Sequence, residues 1–97
     1  MAIFVVLGHF SDQGIRNIKD SIKRSEAFRE QAQRLGGSVK EVFWTMGRYD
    51  IVAIVEAPDE KAITTLGLSV GKLGNVRTET LRAFNKADMD SILSKVA

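Results

Sequence analysis

The chain opens on a run with no polar side. Within Ala2–Phe10, Ile3, Val5 and Leu7 hold one set of alternate positions, and Phe4 and Val6 hold the other. Its β-branched and aromatic residues predict a strand, and apolarity on both sides predicts cover on both. Ser11 or Asp12 then offers a side-chain oxygen to free backbone N–H groups, a helix start, and a helical pattern runs to about Leu35. Ile15, Ile18 and Ile22 recur at helical spacing before the phase slips to Phe28, Ala32 and Leu35. The slip predicts a kink or break around Ser21–Ser25, and Gly36-Gly37 predicts the helix end. Val39–Met46 and Tyr49–Glu56 read as strands joined by a short Gly47-Arg48 turn, an antiparallel hairpin. In the second of these, Ile51, Val52, Ile54 and Val55 again cover both faces. Ala57-Pro58-Asp59-Glu60 is a helix start, with proline at the first helical position and two carboxylates at the positive end. Ile63, Leu66, Val70 and Leu73 follow at helical spacing. Gly67 and Gly71 share one side of that helix and each costs roughly 1 kcal/mol against alanine, so close packing onto the sheet is expected there. After Gly74-Asn75, Val76–Phe84 is a fourth strand. A tail helix, about Ala87–Val96, sets Met89, Ile92, Leu93 and Val96 on one side.

The element order is β-α-β-β-α-β plus a tail helix, the split βαβ pattern of ferredoxin-like α+β folds. It predicts an antiparallel sheet in the order 4-1-3-2 with both long helices on one face. The opposite face is then open and strongly apolar, which marks an interaction surface. Two sheets packed face to face about a twofold axis would cover it. At 97 residues the chain is expected to be a single domain, residues 1–97, of modest stability alone.

Composition removes several functions. Hydrophobic residues make up 44% and charged residues 27%, the balance of a folded protein. The net charge of +2 and pI near 9.2 reflect a small basic excess without a basic stripe or nucleic-acid-reading motif, so no nucleic-acid partner is expected. The basic residues of the first helix (Arg16, Lys19, Lys23, Arg24, Arg29, Arg34) read as a solvated face. The absence of cysteine excludes disulfides and thiolate ligands; with a lone histidine, no metal site is expected. The first apolar run is too short to span a bilayer and lacks a basic leader, so no membrane partner is expected and the cytoplasm is the expected compartment. No phosphate-cradling glycine loop precedes a helix and no serine sits in a nucleophile elbow. No cofactor is expected.

The topology gathers His9, Trp44–Met46, Tyr49, Asp50 and Arg77–Glu79 at one end of the sheet, with Glu56 and Arg82 toward the other. His9, Trp44, Tyr49, Asp50, Thr78 and Glu79 are the candidate ligand-binding residues, and His9, the one group able to move a proton near neutral pH, is the catalytic candidate. Plainer roles compete. Asp50 is expected to hold the Gly47-Arg48 turn through backbone N–H groups, and Trp44 to serve core or dimer packing. As strand neighbours, Tyr49 and Asp50 should point to opposite faces. In the fourth strand Thr78, Thr80 and Arg82 share one side and Arg77 and Glu79 the other, a charged pattern suited to an edge strand.

Gly47-Arg48-Tyr49-Asp50 resembles the G-x-Y-D signature of the GYD domain family. The likeness continues through Glu56-Ala57-Pro58-Asp59 and Gly74-Asn75-Val76-Arg77-Thr78-Glu79-Thr80-Leu81-Arg82-Ala83-Phe84. The resemblance implies a dimeric α+β barrel, ferredoxin-like domains paired through their sheets. Related barrels include cofactor-free monooxygenases, isomerases and ligand-sensing domains, an analogy of fold. The expected function is a homodimeric small-molecule-binding or interaction module with a site at the sheet end or between sheets. The alternative is a cofactor-independent enzyme using His9 as acid or base.

Overall fold

The computed structural model describes all 97 residues. Four strands, β1 (Ala2–Phe10), β2 (Ser38–Trp44), β3 (Ile51–Ala57) and β4 (Val76–Ala83), form one antiparallel sheet in the order β2-β3-β1-β4. The helices are α1 (Asp12–Arg16), α2 (Ser21–Arg34), α3 (Glu60–Gly71) and α4 (Lys86–Leu93), with a 3-10 turn at Ile18–Asp20. The fold is the expected ferredoxin-like α+β arrangement, with β4 at one edge.

Alternation decides which residues make the core. Phe4 and Val6 of β1, Val39 of β2, and Ala53, Val55 and Ala57 of β3 are buried beneath Ala32 of α2 and Ile63 and Leu66 of α3. The intervening Ile3, Val5, Leu7, Val52 and Ile54 are only half-buried, because no element of the chain lies over them. Phe43 and Leu81, each 52% exposed, widen this open apolar face.

The first helical stretch breaks at Asn17–Asp20, just ahead of the expected Ser21–Ser25. The cause is the anchoring of α1 to the loop before β4. The Ser11 amide donates to the Asn75 carbonyl at 3.0 Å, and Ser11 caps α1 by accepting from the Gly14 amide at 3.1 Å. At Gly14 a Cβ would sit 2.0 Å from the Asn75 carbonyl oxygen, so only glycine allows the approach. After the break α2 turns across β2, and Ile15, Ile18 and Ile22 are left 54%, 41% and 63% exposed. Arg24 also departs from the expected solvated face. It is half-buried, and its guanidinium donates to the Asn17 carbonyl at 2.8 Å.

The end of α2 is a Schellman motif. The Gly37 amide donates to the Ala32 carbonyl at 2.9 Å and the Gly36 amide to Gln33 at 3.0 Å, with Gly36 at φ +83°. The start of α3 lies two residues later than expected, at Glu60. Asp59 is the N-cap, accepting from the Ala62 amide at 2.9 Å, so Pro58 precedes the cap. The glycines of α3 are not packed tightly, against expectation. A Cβ at Gly71 would meet nothing within 4 Å, and one at Gly67 only the Thr78 hydroxyl at 3.7 Å.

The tail helix α4 is well made but unpartnered. Asn85 and Asp88 form a reciprocal capping box, yet Met89, Ile92 and Leu93 are 44%, 40% and 54% exposed. The molecule measures 50 × 30 × 18 Å. No helix is long and apolar enough to cross a membrane.

Candidate functional site

Antiparallel register brings the candidate residues to one end of the sheet, as the topology requires. His9 lies opposite Arg77 on β4, Gly8 opposite Ile51, and Trp44 opposite Ile51. The sheet then divides them between its two sides.

On the open side, His9, Tyr49 and Glu79 come together. The His9 and Tyr49 rings lie 4.8 Å apart at 40°, and the Tyr49 hydroxyl donates to Glu79 Oε2 at 3.1 Å. The Arg48 guanidinium stands 5.6 Å above the Tyr49 ring. A phenol held by a carboxylate beside an imidazole can hydrogen-bond a polar group or pass a proton to it. The cluster borders the apolar field of Leu7 and Val52.

Asp50 has a different task from the one expected. Its Oδ2 accepts from the Phe10 amide at 2.9 Å, and its own amide donates to the Gly8 carbonyl at 2.8 Å. It therefore ties the connection to the end of β1, where strand pairing runs out. The turn is held instead by Thr45: its amide donates to the Asp50 carbonyl at 2.8 Å, and its hydroxyl to the Tyr49 carbonyl at 2.6 Å. Tyr49 and Asp50 both lie ahead of β3, so strand alternation does not govern them. Tyr49 reaches over the open face while Asp50 stays at the strand end.

Trp44 and Thr78 belong to the helix side. The Trp44 indole donates to Ser21 Oγ at 2.8 Å, tying β2 to the start of α2. Thr78 lines a cavity of about 180 Å³ between α2, α3 and the sheet. Val6, Ala53 and Val76 form its floor, with Phe28 of α2, Val70 of α3 and Leu73, just past the end of α3, above. Arg24 is the only charged residue in its wall. The pattern carried a signal for this space that hydrophobic periodicity alone passes over. Ser21, Ser25 and Phe28 recur at helical spacing on the sheet-facing side of α2, with small residues where large ones would fill the gap. Gly8 and Ala53 are small on the facing strands.

The profile of the GYD domain matches residues 4–93. A Thermus thermophilus protein named "Glutamine synthetase and cystathionine beta-lyase binding protein" is 30% identical over 90 residues, which cover 92% of this chain and 95% of that protein. A protein of known crystal structure, also from Thermus thermophilus, superposes with a TM-score of 0.56 at 30% identity, covering 88% of this chain and 95% of the other. The Tyr49–Asp50 hairpin, the four-stranded sheet and a match along nearly the whole chain agree: the protein belongs to the GYD domain family.

Proposed function

We propose that this protein is a non-enzymatic interaction module of the cytoplasm, in which two copies pair through their open sheet faces and the pair binds other proteins. The observation that carries this reading is the uncovered apolar face. Phe43, Val52 and Leu7 lie abreast in one row, and Ile54, Val5 and Leu81 in the next. Glu79 ends the first row beside Leu7 and Glu41 ends the second beside Ile54, at opposite edges of the sheet, and polar groups flank both rows: His9 and Arg77 at one end, the Lys40–Glu56 ion pair of 3.6 Å at the other. A twofold axis in the interface plane through the middle rows sets apolar on apolar in a second copy, as closed symmetry requires. The name of the Thermus relative, which describes binding to two enzymes, supports carrying the binding of another protein over to this chain. Native mass spectrometry at micromolar protein is expected to give a dimer, and a clean monomer would refute the pairing. Titration against purified glutamine synthetase and cystathionine β-lyase tests the second half; binding to neither removes the support drawn from the relative.

A second reading rests on the contact of His9, Tyr49 and Glu79. It is a cofactor-independent enzyme, monooxygenase- or isomerase-like, acting on a small aromatic or enolisable substrate at the sheet end. His9 would move the proton and Tyr49 would orient the substrate. His9→Ala should then cost about 10²–10⁴ in rate. Turnover that survives His9→Ala removes this assignment.

A further inference from the structure

The helix-side cavity lies across the sheet from the proposed pairing face and is used by neither reading above. Its volume of about 180 Å³ exceeds the roughly 150 Å³ of an apolar cavity that accepts a benzene molecule. Most of its lining is carbon: Val6, Phe28, Val42, Ala53, Val70 and Val76. Such a space favours an apolar body, and its few polar groups decide what else that body carries.

Only one of those polar groups carries a charge. Arg24 edges the cavity from the first turns of α2, and no carboxylate lines the wall. The guanidinium is in neither of the protein's ion pairs. It donates to the backbone carbonyls of Asn17 and Gly14, while its Nε–H is buried without an acceptor. The positive end of the α2 dipole lies at the same place, and the side chain of Asp20 does not cap it. An unpaired planar cation beside a helix N-terminus recognises a carboxylate. On the sheet side Thr78 lines the same space.

We propose that this cavity binds a small amphipathic carboxylate, with an aromatic ring or short branched chain seated among Phe28, Ala53 and Val70 and its carboxylate accepting from Arg24. The interaction module thereby gains a ligand site in each copy, independent of whether the sheets pair.

The test is a methyl-resolved NMR titration of the full chain with phenylacetate and, as the neutral probe of equal shape, phenylacetamide. Phenylacetate is expected to bind about tenfold more tightly, the gain of one charge-assisted pair. The largest shifts should fall on Val6, Val42, Val70 and Val76. Arg24→Gln should bring the two probes to equal affinity, and Arg24→Lys, which keeps the charge, should retain part of the difference. Ala53→Leu and, separately, Val70→Phe should fill the space and abolish binding of both. Equal affinity of the probes for the natural chain, unchanged binding in both filled variants, or shifts centred on Ile3, Val5 and Leu7 would each overturn the proposal, as would no binding at millimolar probe.

Discussion

Two residues at the sheet end show how local chemistry is redirected by tertiary partners. Asp50 reads in isolation as a turn residue, but its carboxylate is taken by the Phe10 amide across 40 residues of sequence. Nothing in a single sequence marks that distant donor, because it exists only once β1 and β3 are paired. Asp50→Ala should therefore destabilise the fold by about 1–3 kcal/mol, the range for losing a charged acceptor to a half-buried amide. Asp50→Asn, which keeps an oxygen in place, should recover part of it. Urea unfolding at constant m-value measures both; an Asp50→Ala midpoint equal to that of the natural protein would show that the bond contributes nothing. Trp44 makes the parallel case on the helix side. Trp44→Phe keeps the ring but removes the donor to Ser21, whose residue is 7% exposed. A loss of about 1 kcal/mol is expected in the same measurement.

At the scale of elements, the strands were the most legible because alternation is local, and β-branched runs mark β1 and β3 without reference to anything else. Helix ends with their own chemistry were legible too: Ser11 and Gly36-Gly37 act where they stand. The register of α1 was not, since the break at Asn17–Asp20 follows from the anchoring of Ser11 and Gly14 on Asn75, a contact made late in the chain. The candidate site was legible as a place and not as an arrangement. Topology set His9, Tyr49 and Glu79 at one end, and alternation set the side of His9 and Glu79, but the side Tyr49 occupies depended on a connection that runs to Asp50. The glycines of α3 give a sharper test of element-level reasoning. Since a Cβ at Gly71 has open space and one at Gly67 has ordinary contact, alanine at either should raise stability by about 0.5–1 kcal/mol through helix propensity. Gly14→Ala should do the opposite, driving a methyl into the Asn75 carbonyl. Thermal unfolding of the three variants decides it: destabilisation by Gly71→Ala would mean that this side of α3 is packed against something the lone chain does not provide.

The whole molecule is more extended than its core demands, and the excess is apolar. One sheet face carries Phe43, Leu81 and the half-buried side chains of β1 and β3, and α4 presents Met89, Ile92 and Leu93 to water. The proposed pairing would cover both features if a second copy lay against the sheet with each tail helix along its partner. Leu81 discriminates this from a face that is merely tolerated. It sits on the edge strand, 52% exposed, so a charge there is solvated in a lone chain and should leave the circular dichroism spectrum unchanged. In a face-to-face pair the same charge enters the interface twice, without a partner, at a cost of several kcal/mol. Leu81→Glu is therefore expected to weaken the dimer by about two orders of magnitude or more, read as a shift to monomer by light scattering across a dilution series. Leu7→Glu should act in the same direction from the middle of the face, and truncation before Lys86 should weaken pairing less, since it removes α4 and leaves the sheet intact. If Leu81→Glu and Leu7→Glu both remain dimers, the sheet is not the pairing surface. If truncation alone gives monomer, the tail helix holds the copies together and the open face waits for a different protein.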